Sequence, residues 1–202
     1  MPVPGSAAVF EVVGARRFRL DASGFWQVHR HAAATLTAAV QDAIDADLLD
    51  PAAPNLDLYG GVGLLAAAVG DRFGASTRIT SVEGSATATA HARENLRDLP
   101  GASAESGRVD AWLRDRGAPD LRGADRSTVV LDPPRSGAGR EVVDRLASLG
   151  PAQIVYVACD PVALARDVGL LAGHGYILRR VRAFDLFPNT HHVEAVAAFT
   201  RD

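Results

Sequence analysis

The stretch LDLYGGVG, residues 56–63, sets a short apolar run against three glycines, Gly60, Gly61 and Gly63, and a second apolar run, VGLLAAAVGDRF, follows at helical spacing. A buried strand that turns through glycine into a helix is the repeating unit of an open α/β sheet. Glycine lets the chain turn sharply there, and it lets a ligand approach the backbone N–H groups at the helix start. The pattern repeats on both sides. RITSVE at 78–83 reads as the next strand, with a helix from Ser85, a natural N-cap, to about Leu99. Further strands are expected in SGRVD (106–110), STVVLD (127–132), QIVYVAC (153–159), YILRRVRAF (176–184) and VEAVAAFT (193–200). Helices are expected over about Val28–Ala46, Gly139–Leu149 and Pro161–Ala172, the last opening on a first-turn proline. Strands separated by helices of this length imply right-handed βαβ crossovers and a mainly parallel sheet. Only the loop DLFPNTHH separates the last two strands, which permits an antiparallel terminal hairpin. A doubly wound α/β fold with six or seven strands is the expected architecture.

Bulk composition excludes several classes. A chain of 202 residues with 48% hydrophobic and 22% charged residues fits one globular domain. No apolar run approaches the roughly 18 residues of a membrane span, no secretory leader is visible, and a single cysteine, Cys159, cannot form an internal disulfide. A cytoplasmic setting is the expectation. The formal net charge of −3 offers no whole-chain attraction to a polyanion.

The expected sheet gathers polar residues at its strand ends. Glu83, at the end of SVEG, is placed to accept hydrogen bonds from ribose hydroxyls, or is simply a solvated strand end. The glycine loop lacks the last small residue of a dinucleotide fingerprint, so S-adenosylmethionine, which has no pyrophosphate, is the better-fitting cofactor. Asp110, in RVDAW, would accept from an adenine amino group at a strand end or cap a helix. Asp132, in LDPPRSG, sits on a loop stiffened by two prolines, for substrate positioning or for a pair with Arg135. Cys159 leaves its strand just before a helix N-terminus, whose dipole would favour a thiolate; otherwise it is a small core residue. His191 and His192 point to different sides and make a poor metal pair, so no metal is expected. Glu194 opens an apolar strand, where it is either exposed or functional.

Together, GFWQVH near Phe25, DLYGGVG, SVEG, LDPPRSG, VYVACDPVALARD and FDLFPNTHHVEAV stand in the order found in RNA 5-methyluridine methyltransferases, and the chain resembles their catalytic domain from about Phe25 to its C-terminus. The resemblance implies a Rossmann-like class I methyltransferase fold with a seven-stranded sheet, S-adenosylmethionine as cofactor, and tRNA or ribosomal RNA as partner. It implies Cys159 as nucleophile and Glu194 as base. Gln27, Tyr59, Gly60, Gly61, Gly63, Glu83, Asp110 and Asp132 would line the cofactor pocket, with Phe25, Gln27, Asp132 and Arg135 on the target base. Trp26 is read as packing. Residues 1–24 are expected to be a strand-like remnant of a preceding domain and 25–202 the catalytic domain, because family members usually carry further RNA-binding domains. The chain also departs from the family. Gly61 replaces a common cysteine, Leu64 and His29 replace asparagines, and ACDP stands for SCNP, setting Asp160 beside Cys159 where its charge would oppose a thiolate. A competing reading is therefore a cofactor-binding module without efficient catalysis, and another keeps the cofactor but changes the pyrimidine substrate.

Overall fold

The computed structural model describes residues 8–190 and 192–201, the side chains of 116–120 excepted. Residues 1–7 of the N-terminal segment thus lie outside the described part. A hairpin, β1 (Ala8–Val13) and β2 (Arg16–Asp21), precedes helix α1 (Ala32–Ala43). There follow β3 (Asn55–Leu58), α2 (Leu64–Phe73), β4 (Ile79–Glu83), α3 (Ala86–Asn95), β5 (Ala102–Ser106) and α4 (Val109–Asp120). The second half holds β6 (Thr128–Leu131), α5 (Gly139–Leu149), β7 (Gln153–Ala158), α6 (Pro161–Gly173), β8 (Tyr176–Phe184) and β9 (Glu194–Arg201).

Seven strands form one sheet in the order β5-β4-β3-β6-β7-β9-β8. Strands β3 to β7 run parallel, and β9 inserts antiparallel between β7 and β8. The terminal antiparallel pair is thus present, with β8 rather than the last strand at the edge. All residues of β3, β6 and β7 are buried because helices cover both faces. The period of two divides β7 between two cores. Val155 and Val157 join Leu36 and Val40 of α1, Leu65 of α2 and Ala92 of α3, whereas Ile154, Tyr156 and Ala158 join Trp112 of α4, Leu146 of α5 and Leu164 of α6. Burying a side chain of this kind contributes about 1.5–3 kcal/mol. Phe18 and Leu20 of β2 enter the first core as well.

Two expected boundaries move. The strand expected over SGRVD lies four residues earlier, at Ala102–Ser106, and of the expected stretch only Ser106 is in a strand. Val109, Trp112 and Leu113 are buried at helical spacing, so the segment after Gly107 winds into α4 instead. Edge strand β5 reads ASAES, too polar to show in an apolar pattern. Helix α1 begins at Ala32 rather than Val28, whose side chain is 84% exposed.

Candidate functional site

Chain order reverses between β3 and β6, and β4 lies on the far side of β3. Ligands of open α/β sheets bind outside the strand C-termini at such a switch point. A cavity of about 790 Å³ lies here, within the range of small-molecule sites. Its floor is the glycine loop, with Tyr59, Gly61 and Val62 facing inward. Tyr59 adopts φ 62°, a left-handed conformation that a non-glycine residue seldom takes. Gly60 passes so close to the sheet that a Cβ would collide with Ser81 Oγ and the Asp57 carboxylate. Gly63 caps α2 at φ 89°. Gly60 and Gly63 therefore shape the loop without lining the cavity.

Beneath the loop, buried Asp57 accepts from Ser81 Oγ at 2.9 Å and Ala66 N at 3.2 Å, tying β3 to β4 and to the first turn of α2. Burial pushes its carboxyl up to about 6. Glu83 ends β4 and lines the cavity. Its Oε2 accepts from Gly61 N at 3.0 Å and its Oε1 from Ser85 N at 2.7 Å. Each carboxylate oxygen has a second acceptor site, so the geometry leaves room for a ribose hydroxyl.

The catalytic candidates come together through strand register. The last ladder pair between β7 and β9 is Ala158 with Ala195, so one step further Cys159 faces Glu194. Opposite residues of an antiparallel pair share a face, with Cβ atoms about 4.5–5.5 Å apart. Both residues line the cavity, with Asp132, Pro133, Pro134 and Arg135 from the end of β6. Asp132 accepts from Gln27 Nε2 at 3.5 Å, and the pair with Arg135 that the sequence left open does not form. Burial first, then the charges of Glu194 and Asp57, push the Asp132 carboxyl up to about 8. Burial raises Glu194 too, opposed by Arg135.

Cys159 corrects one expectation. Burial raises its thiol, Glu194 and Asp132 add to the rise, and Arg135 opposes it, so the environment favours the thiol rather than a dipole-stabilised thiolate. Asp160, by contrast, is engaged with the backbone of the helix that follows. It is the N-cap of α6 and accepts from Ala163 N at 2.8 Å. Leu64, the other departure of concern, is buried in the first core.

Asp110 corrects another. It lies in the first turn of α4, neither lining the cavity nor capping the helix, whose N-cap is Arg108. Arg108 Nη2 reaches it at 2.8 Å and holds its carboxyl down at about 2. Trp26 packs at 5.7 Å from the Phe18 ring, while its neighbours Phe25 and Gln27 face the cavity. His191 lies outside the described residues. Among those described, no cluster of His, Cys, Asp and Glu is arranged to hold a metal, and no helix is long and apolar enough to cross a membrane.

The fold also brings to the cavity residues to which the sequence assigned no role in the pocket. Leu20, Asp21, Ser23 and Gly24, after the hairpin, form one wall, and Thr87, Ala88 and His91 of α3 another. Ala88 and His91 sit three apart on one helix face, the only sequence signal for that wall. Phe187 and His192 complete the rim, their rings 6.3 Å apart. The hairpin wall is fastened by Asn95. Its Oδ1 accepts from Arg19 N at 2.8 Å, and its Nδ2 donates to Arg19 O at 3.0 Å and to Val62 O in the glycine loop at 2.9 Å.

Residues 107–201 match the family model of tRNA (uracil-5-)-methyltransferases. An uncharacterized RNA methyltransferase of Streptomyces avermitilis is 46% identical over 195 residues, covering 96% of this chain and 43% of that protein. One of Bifidobacterium longum is 44% identical over 187 residues, 91% of this chain and 42% of that protein. The chain thus spans less than half the length of these relatives. Among solved structures, the tRNA (uracil-54, C5)-methyltransferase of Pyrococcus abyssi, in complex with S-adenosyl-L-homocysteine, superposes with a TM-score of 0.76 at 28% identity, over 96% of this chain and 44% of that one. These matches bear out the resemblance read from the motifs, and the sheet is that of class I methyltransferases.

Proposed function

We propose that this chain, which resembles the tRNA (uracil-5-)-methyltransferases, is the catalytic domain of an S-adenosylmethionine-dependent enzyme that methylates C5 of a uridine in tRNA or ribosomal RNA. The observation that carries this reading is the placing of Cys159 opposite Glu194 on the wall of a cavity that also holds the glycine loop. The cavity fits the cofactor: Gly60 keeps the floor low, and Gly61 and Glu83 line the cavity where they would hold its ribose. The hairpin of residues 8–21, which supplies a wall, would join the catalytic unit to the preceding RNA-binding domains that family members usually carry.

Uracil C5 is too weak a nucleophile to be alkylated directly. Cys159 gives up its thiol proton to solvent, and the thiolate adds to C6, forming an S–C6 bond and an enolate with electron density at C5. When bound, S-adenosylmethionine supplies the electrophilic methyl group. Glu194 then takes the proton from C5, the S–C6 bond breaks, the C5–C6 double bond returns and the thiolate leaves. Gln27 Nε2 and Asp132, largely protonated near neutral pH, offer hydrogen bonds to the uracil in the same cavity. The target nucleotide must leave its stack to enter, and Phe25, 73% exposed at the mouth, is placed to support it.

Fluorine at C5 removes the proton that Glu194 takes, so the covalent complex should persist. The protein is mixed with S-adenosylmethionine and 5-fluorouridine-substituted tRNA or ribosomal RNA, and adducts are read by denaturing gel and intact mass. An adduct lost in Cys159→Ala, and forming faster as pH rises because the thiol is elevated, supports the mechanism. No adduct from protein shown to bind the cofactor overturns it in favour of a binding module.

A further inference from the structure

Strand β8 is one outer edge of the sheet, and three of four consecutive residues in it, Arg179, Arg180 and Arg182, are arginines. Register places them on one side. Arg180 lies opposite Ala198, Arg182 opposite Val196 and Phe184 opposite Glu194. Val196 belongs to the core beneath α1, and paired residues share a face, so Arg180, Arg182 and Phe184 stand on the α1 side. An irregularity between Leu178 and Arg180 takes Arg179 out of simple alternation, and its Nε reaches Thr200 Oγ1, on the same side, at 2.7 Å.

Helix α1 packs on α2, β9 and β7, and the middle of β8 from Ile177 to Val181 is exposed. Arg180 Nη1 reaches the Asp42 carbonyl at 3.4 Å, and Arg182 Nη1 meets the Asp42 carboxylate at 3.3 Å. Both sides of that ion pair are substantially exposed, where such pairs contribute little. Arg180 and Arg182 thus set two positive charges against the one carboxylate of Asp42, on a chain of net charge −3. The surface leads to the site: Phe184 pairs with Glu194, and three residues further Phe187 lines the cavity rim. Alternate residues of a strand stand about 6.7 Å apart, a spacing comparable to that of successive phosphates in an extended nucleic-acid strand. Guanidinium groups match phosphate geometry with two parallel hydrogen bonds.

We propose that Arg179, Arg180 and Arg182 form a docking track for the phosphate backbone of the RNA whose uridine enters the cavity. The proposal rests on the RNA reading above and adds the path of the strand outside the pocket. Flipping a base costs stacking energy, and phosphate contacts beside the cavity offset it without reading sequence.

The test uses the whole chain and a fluorescein-labelled RNA stem-loop with an unpaired uridine, followed by anisotropy across a salt series, with S-adenosylhomocysteine binding measured separately by calorimetry. In the variant Arg179→Gln/Arg180→Gln/Arg182→Gln, the slope of log affinity against log salt should fall by about 0.7 for each phosphate left without its arginine, roughly 2 in all. S-adenosylhomocysteine affinity should not change. Asp42→Asn, which removes the opposing carboxylate, should tighten RNA binding. A variant slope equal to that of a wild-type chain that binds RNA overturns the track and leaves the methyltransferase reading standing. Self-association of the glutamine variant with RNA affinity retained also overturns it, in favour of arginines that merely guard a sheet edge. A wild-type chain that binds S-adenosylhomocysteine but no RNA at low salt overturns both.

Discussion

Replacing Asp132 by asparagine should make the protein more stable, by an amount that grows with pH. Burial and the neighbouring charges of Glu194 and Asp57 push this carboxyl up to about 8, whereas in an unfolded chain it titrates near about 3.9. Between those values the folded chain holds a proton that the unfolded chain has released. The wild type therefore has its full stability below the unfolded value and loses it as pH climbs toward the folded one, at about 1.4 kcal/mol per pH unit. Above about pH 8 both states are ionised and the loss levels off. Asparagine has nearly the same shape, never ionises, and keeps an oxygen for Gln27 Nε2. The stability difference should thus widen from about pH 5 to about pH 8 and then flatten, by at most roughly 4 kcal/mol and by less in proportion to the water that reaches the partly exposed Asp132 across the cavity. That is a large share of the about 5–15 kcal/mol of an ordinary domain. Urea unfolding followed by circular dichroism, in one-unit steps from about pH 5 to about pH 9, measures it directly. Parallel stability curves for the two proteins would refute the reasoning, since they would mean that Asp132 ionises in the folded chain as readily as in water. The same protonation makes Asp132 a hydrogen-bond donor near pH 7, so the experiment also bears on its role toward uracil.

Gly60→Ala should cost about 1–3 kcal/mol by overpacking, because the new methyl meets Ser81 Oγ and the Asp57 carboxylate, and should weaken S-adenosylhomocysteine binding in the same protein. Calorimetry of unfolding and of binding reads both, and a variant of normal stability and affinity would show that the loop has slack. Asn95→Ala removes three hydrogen bonds between the hairpin, α3 and the glycine loop, costing roughly 2–4 kcal/mol. Hydrogen exchange should report lost protection in β1 and β2 while β3, β6 and β7 keep theirs; a uniform change across the sheet would argue against a local clamp.

Much of the site was legible because its residues stand at strand ends. In a parallel sheet with helical crossovers, every strand finishes at the same edge, so DLYGGVG, SVEG, LDPPRSG and VACDP must converge whatever the details of packing. Glu194 joined them for the opposite reason, since an antiparallel strand begins where parallel ones end. The strand end expected at Asp110 failed because that logic needs the strand boundary, and β5 is an edge strand with too little apolar pattern to mark where it stops. Asp160 could not be judged from its neighbour alone. One rotation of its side chain toward Ala163 N separates a helix cap from a charge beside a nucleophile.

The sequence by itself determined the alternation of strands and helices outside the β5–α4 boundary, the glycine turn, the helix starts at Ser85 and Pro161, and, Asp110 apart, which polar residues stand at strand ends. These are local consequences of periodicity, φ preference and capping. Only the tertiary structure decided that Asn95 fastens the hairpin wall, that the Asp132 carboxyl rises to about 8, that the Cys159 thiol is raised rather than lowered, and that the arginines of β8 share one open face. Each of these depends on burial and on partners far away in the chain, and desolvation is a property of the surroundings that no neighbouring residue specifies.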